Sequence, residues 1–158
     1  MPHTRSLLRV ARRLTANLAT AEDLVQETML SAWRGFDRFE RGTNARAWLF
    51  RILMNAFHAS GRRLHAAPIT VSITTHDIAV DSIALTAVQV TQALDELPVE
   101  QREVLLLGVV EGFTCAEMAE ILEIPMGTVM SRLSRGRQAL RECLAPEARS
   151  AGTRSSGA

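Results

Sequence analysis

Residues 114–140 read TCAEMAEILEIPMGTVMSRLSRGRQAL. Thr114 and Glu117 have the T-x-x-E spacing of a capping box, in which each side chain satisfies a backbone N–H of the other residue. The spacing predicts a short helix reaching Leu122. A tight turn follows at Glu123-Ile124, and Pro125 restarts the chain into a longer helix through Leu140 and on to about Leu144. In that helix Val129 and Leu133, with Ala139 and Leu140, fall inward. Thr128, Ser131, Arg132, Ser134, Arg135 and Gln138 face outward. Such a unit is a helix-turn-helix. Charge supports this: between Asp95 and Glu123 the chain is heavily acidic with Arg102 as the one base, and then Arg132, Arg135, Arg137 and Arg141 follow with no acid until Glu142. A unit polarised in this way offers a basic face to phosphates. Its short polar groups and arginines suit base edges in a major groove. An ordinary helix pair with a solvated Arg-rich face fits the same spacing, and the pattern does not distinguish among kinds of DNA-binding protein.

Upstream, three stretches carry helical periodicity. Leu7, Val10, Ala11 and Leu14 share a face near the start, flanked by Arg5, Arg9, Arg12 and Arg13. A second helix is expected after Thr20 as N-cap, with Glu22 and Asp23 in its first turn where the dipole favours acids, and runs to about Phe36. A third starts at Asn44, with Ala45, Trp48, Leu49, Ile52, Leu53, Ala56 and Phe57 as one apolar stripe. Its other face carries Arg46, Arg51, Asn55 and His58, and Gly61-Arg62-Arg63 ends it. In this stripe Trp48 reads as a core residue rather than a stacking platform.

From Leu64 to Asp81 the period fails. Thr70 to Thr74 alternates like a short strand with nothing to pair with, so the segment reads as a linker. Helical spacing returns with Ile83, Ala87, Val90, Leu94 and Leu97, and Pro98 opens a further helix that stops at Gly112. The expected fold is all-α: two small helical domains joined by a flexible linker, the C-terminal one containing the helix-turn-helix. The boundaries are 1–63, a linker over 64–81, 82–145, and a disordered tail over 146–158 rich in Ser, Gly, Ala and Arg. The linker has few charges and no helical period, so the two domains are not expected to share a core.

The composition excludes several classes. Hydrophobic residues make up 47% and aromatic residues 4%, a balance suited to small helical domains. A net charge of +1 argues against a protein that simply coats nucleic acid. There is no Lys; Arg supplies the basic charge, with a planar fork suited to phosphate and guanine. Cys115 and Cys143 have no ligand spacing, so no structural metal or cofactor is expected, and free thiols suit a reducing cytoplasm. The N-terminus is polar and Arg-rich, and no apolar run approaches a membrane span, so the chain reads as cytoplasmic. His3, His58, His65 and His76 lie near no Cys or paired carboxylate in a recognisable arrangement, and no Gly-rich phosphate loop is present, so no enzyme is expected.

Two further stretches bear on function. Ala21-Glu-Asp-Leu-Val-Gln-Glu-Thr28, followed by Trp33, then Phe39, Gly42-Thr-Asn44, Ala47-Trp-Leu-Phe-Arg-Ile52 and Asn55, resembles sigma region 2 of the extracytoplasmic-function (ECF) RNA polymerase sigma factors. Leu94-Asp-Glu-Leu-Pro98, Gln101-Arg-Glu103, Gly127-Thr-Val129 and Ser131-Arg-Leu133, with Arg135 and Arg137, resembles sigma region 4. The resemblance covers nearly all of residues 4–144 apart from the linker. It implies a specificity subunit, with region 2 on the clamp helices of the polymerase β′ subunit and at the minus-ten element. Region 4 would sit on the β flap and at the minus-thirty-five element, and the linker would thread toward the active-site and RNA-exit channels. An anti-sigma factor is implied as a regulator, one that could hold the protein at the membrane. Carried over by position, Asp23, Gln26, Glu27 and Thr28 fall in the clamp-binding helix. Thr43, Asn44, Arg46, Arg51 and Asn55 match the minus-ten surface, which must hold a base splayed out of the duplex. Gly127, Thr128, Met130, Ser131, Arg132, Ser134, Arg135 and Arg137 match the minus-thirty-five surface. Met130 departs from a pattern that often has Lys or Arg there. The linker is less acidic than in many relatives, and the first helix lacks the family's usual leading residues. The competing reading, a stand-alone helix-turn-helix regulator, leaves the first of these two stretches unexplained.

Overall fold

The computed structural model describes residues 2–64 and 82–152. Helix α1 (Thr4–Thr15) buries Leu7, Val10, Ala11 and Leu14, the expected stripe, and ends at Ala16 in the left-handed conformation. Helix α2 (Leu18–Arg34) begins earlier than expected, because its N-cap is Asn17 and not Thr20. The Asn17 side chain accepts from the Thr20 N–H at 3.1 Å. Asn caps at least as well as Thr, and its place directly after the left-handed Ala16 leaves a short connection between α1 and α2. A 3₁₀ turn (Phe36–Arg38) leads on to α3 (Ala45–Leu64). Asn44 caps α3 as expected: its Oδ1 accepts from the Ala47 N–H at 3.1 Å.

In the C-terminal half, α4 (Ser82–Glu96) and α5 (Val99–Leu105) are joined at Pro98, which is the N-cap of α5. Arg102 holds this corner. Its guanidinium donates to the carbonyls of Leu94, Asp95 and Leu97 where α4 ends and the chain turns into α5. The helix then widens into a π turn (Leu106–Val110), closed by the Glu111 N–H on the Leu106 carbonyl at 3.0 Å. Gly112 at φ +74° ends it. Helix α6 (Cys115–Leu122) has the capping box in full, with Glu117 N–H on Thr114 Oγ1 and Thr114 N–H on Glu117 Oε1, both at 3.2 Å. Glu123 in the left-handed conformation makes the tight turn, and α7 (Met126–Gly152) follows. The disordered tail expected from Pro146 is corrected through Gly152, since the α7 backbone continues that far. Pro146 withdraws one donor from the ladder without ending it. The expected linker beyond Leu64, with its short stretch at 70–74, lies outside the described residues, as do residues 153–158.

Helices α1, α2 and α3 pack in sequence, and α7 gathers α4, α5 and α6 around it. Gly136 sets the distance between α7 and α5: a Cβ there would meet Leu105 Cδ1 at 3.1 Å and Cγ at 3.3 Å. The all-α architecture with a C-terminal helix-turn-helix is as expected. The expectation of separate cores is not met. The buried side chains run as one set from Leu7 and Leu24 through Phe50, Leu53 and Met54 to Leu106, Met118 and Val129. Helix α3 packs on α6, and Phe50 meets Phe113 edge-on with ring centroids 5.2 Å apart. The physical reason is that α3 has two apolar faces. The anticipated stripe is one. Phe50 and Met54, both fully buried, lie on another, and the C-terminal half covers it.

Candidate nucleic-acid interface

Helix α7 is aimed by three local features. The Pro125 carbonyl accepts from the N–H groups of Thr128 and Val129, which starts the helix. Met118, Ile121 and Leu122 of α6 and Val129 and Leu133 of α7 are buried, which fixes the angle between the two. The outer face is then free. Gly127, Met130, Ser134, Arg135 and Arg137 are exposed, and Thr128, Ser131 and Arg132 are half-buried. Arg132, Arg135 and Arg137 enter none of the ion pairs found among the described residues. Met126 and Met130 stand one turn apart, 48% and 57% exposed, inside this basic surface. All eight residues assigned to this face from sequence are on it or at its edge.

On α2, Asp23, Gln26 and Glu27 are exposed. Thr28 is not: it is fully buried, and its hydroxyl donates to the Leu24 carbonyl at 2.7 Å. Its assignment as a contact residue is corrected, because the helix turns this side chain toward the core. The sequence reading missed the continuation of the exposed face in Leu30, Trp33 and Phe36, which are 56%, 79% and 53% exposed. Their signal was available: Leu30 and Trp33 fall outside the stripe Ala21, Leu24, Val25, Thr28, Ala32 that the helix buries, and Phe36 lies in the 3₁₀ turn beyond it. Trp48 is half-buried against Phe39, with centroids 4.8 Å apart.

The α3 surface is more engaged than sequence suggests. Thr43 and Asn55 are exposed, and Thr43 Oγ1 donates to the Glu40 carbonyl. Asn44 Nδ2 donates to Glu117 Oε2 at 2.8 Å. Arg46 donates to the Glu111 carbonyl at 2.6 Å and to its carboxylate at 2.7 Å, and its Cζ lies 4.3 Å from the Phe113 ring centroid. Arg51 Nε donates to Glu123 Oε1 at 3.0 Å. His58 Nε2 lies 2.6 Å from Glu103 Oε1. From α1, Arg9 Nε donates to Glu111 Oε1 at 2.9 Å, a bond that raises the Arg9 guanidinium above its ordinary value. The Glu111 side chain is only 1% exposed, so two arginines enclose one buried carboxylate. None of these acids was read from sequence as a partner of the α1 and α3 bases, because each partner is more than forty residues away in the chain.

The first 65 residues match the model of Sigma-70 region 2, and residues 87–140 match that of Sigma-70, region 4. The chain belongs to the ECF sigma factors. It is 37% identical over 139 residues to the ECF RNA polymerase sigma factor EcfG of Rhodopseudomonas palustris, an alignment covering 85% of this chain and 77% of that one. It is 36% identical over 143 residues to the ECF sigma factor SigM of Mycobacterium tuberculosis, covering 90% and 73%. Among solved structures it is similar to the sigma factor RpoE in complex with the anti-sigma factor NepR from Bartonella quintana. There the TM-score is 0.77 and the identity 35%, with 90% of this chain and 91% of that one covered. It is also similar to CnrH in complex with the cytosolic domain of CnrY, with TM-score 0.69 and identity 28%, covering 92% and 84%. This sigma factor directs transcription initiation and is not an enzyme. The region 2 match removes the stand-alone regulator. No helix among the described residues is long and apolar enough to cross a membrane.

Proposed function

We propose that this sigma factor docks on core polymerase through the exposed face of α2 and through region 4, and divides promoter reading between α3 and α7. Asp23, Gln26 and Glu27, with Leu30, Trp33 and Phe36, form the surface for the β′ clamp helices. Thr43, Asn44, Arg46, Arg51 and Asn55 hold the unpaired minus-ten strand. Gly127, Thr128, Met130, Ser131, Arg132, Ser134, Arg135 and Arg137 read the minus-thirty-five element, while region 4 rests on the β flap. The observation that carries this reading is the outer face of α7: arginines that enter none of the ion pairs found among the described residues, on a helix fixed by a capped neighbour. Phosphate contacts from such arginines position the helix, and base-edge contacts specify the sequence. The working units are region 2 (1–63) and region 4 (82–145).

An anti-sigma factor is the expected regulator, since the RpoE and CnrH structures are complexes with such partners. The protein would act in the cytoplasm, and a membrane-anchored anti-sigma factor would hold it at the membrane. Run-off transcription with core polymerase on a promoter library tests the reading. Initiation at promoters sharing both elements is expected. Duplex binding without stimulated transcription would overturn it. Pull-down from the unstressed native host is expected to recover a small helical partner, and recovery of polymerase alone would count against the regulator.

A further inference from the structure

Helix α7 carries its charges late. From Ile124 to Ser131 the chain has no ionisable side chain, and the arginines begin at Arg132. The first turns of a recognition helix are the part that meets base edges. On α7 those turns offer Met126, Gly127, Thr128, Met130 and Ser131, since Val129 is fully buried. Met126 and Met130 are 48% and 57% exposed, whereas Met118 of α6, at 1%, fills the core. A single exposed apolar side chain needs no explanation. Two long ones, one turn apart at the leading end of this helix, form a patch. We propose that Met126 and Met130 read thymine: their thioether ends pack on C5-methyl groups in the major groove and fix A·T pairs of the minus-thirty-five element. The inference rests on the assignment of α7 to that element proposed above, and names the base groups that this end of the helix selects.

A methionine has no donor for a base edge and no charge for a phosphate. The thymine methyl is the one apolar group that a base pair presents in the major groove. An unbranched, polarisable side chain adapts to so small a target. The surroundings favour duplex DNA over an apolar groove on a protein. Arg137 lies seven residues beyond Met130, hence on the same edge of the helix, exposed and in none of the ion pairs found among the described residues. Whatever covers the methionines therefore meets a cationic side chain beside them, and a groove walled by phosphates satisfies both. Gly127 adds to this. A Cβ there would meet nothing within 4 Å, so the packing of the protein itself does not require a glycine. The missing side chain lets the α7 backbone come close to the groove floor, within reach of the flanking methionines.

The test uses the full chain assembled with core polymerase, on promoter duplexes selected from a library randomised in the minus-thirty-five element. Each thymine of that element, on either strand, is replaced in turn by uracil, which removes the methyl and keeps every hydrogen bond. The parent is expected to lose roughly fourfold in affinity at one or two positions, the effect of one methyl-sized group returned to water. Met126→Ala and Met130→Ala keep a good helix former at an exposed site. Each is expected to abolish the loss at one position and to leave the salt slope unchanged, because no charge is removed. If the parent is indifferent to uracil everywhere while Arg135→Ala still weakens binding, the methionines do not read thymine and α7 keeps its assignment. If both methionine variants sense uracil as the parent does, another group reads the methyl and the inference is overturned. If they instead weaken assembly with core polymerase, the patch is a protein contact, and the inference is overturned again. If neither the arginine nor the methionine changes alter duplex binding, the assignment of α7 falls and the inference with it.

Discussion

Arg135 stands exposed on α7 and enters none of the ion pairs found among the described residues. Replacing it separates two kinds of contact. If Arg135 reaches a base edge, Arg135→Ala should weaken binding to the selected upstream element by about 1–3 kcal/mol and relax preference at one position. If it touches phosphate, the loss should be equal on all duplexes, with the salt slope shallower by about one unit. Binding measured on matched and mismatched duplexes over a salt series decides, and an unchanged affinity in both would show that α7 is wrongly placed on DNA. Met130→Arg is the converse change: it adds a positive charge to the outer face of α7 and should steepen the salt slope by about one unit. At this scale the sequence was informative about α7, because a helix period with one basic face leaves little choice of orientation. It was misleading at Thr28, where a motif identifies the helix but not the side of it that faces the core.

Single helices were legible where their ends carry side-chain chemistry. The Thr114–Glu117 box and the Asn44 cap are written in residues three apart, and both form as read. The π turn at Leu106–Val110 has no such signature. It is set by packing, because Gly108 lies so close to Met118 that a Cβ would meet Cε at 3.0 Å. The expected cost of Thr114→Ala is about 0.5–2 kcal/mol of stability, the usual loss for an N-cap, read as a lower urea midpoint at unchanged slope. Gly136→Ala opposes two effects. Helix propensity favours Ala by about 1 kcal/mol. The new Cβ would meet two atoms of Leu105, a residue only 2% exposed, so rotating its tip does not relieve both contacts. Overpacking of this kind costs about 1–3 kcal/mol and should win, leaving the variant less stable. A more stable Gly136→Ala would mean that α5 and α7 are further apart than described.

The two regions meet on a face of α3 that carries Arg46, Phe50, Arg51, Met54 and His58. In sequence these look like a polar face interrupted by two apolar residues, since one stripe already accounts for the packing of α3 within its own region. Its mate is assembled from Glu103, Glu111, Phe113, Glu117 and Glu123, which lie on α5, the π-turn exit, α6 and the turn after it. Neither half is complete without the other, so the contact could not be read from either alone. Charge did hold a trace of it, in the acidic run between Asp95 and Glu123, which sequence explains as keeping acids off the DNA face. Both roles are compatible, because Glu103, Glu111, Glu117 and Glu123 are engaged by side chains of region 2. Whether the regions stay joined in free solution can be measured through Phe50 and Phe113. An aromatic pair in edge contact contributes about 0.5–1.5 kcal/mol beyond the area it buries. In a double-mutant cycle of Phe50→Ala and Phe113→Ala, followed by urea unfolding of the full chain, each single change should cost about 3–5 kcal/mol. The double change should cost less than the sum by about the pair term, because the second substitution removes a contact already lost. If the two costs add within about 0.5 kcal/mol, the rings do not meet in the free protein. Region 2 and region 4 would then unfold as separate units, and two transitions would replace the single one that a shared core requires.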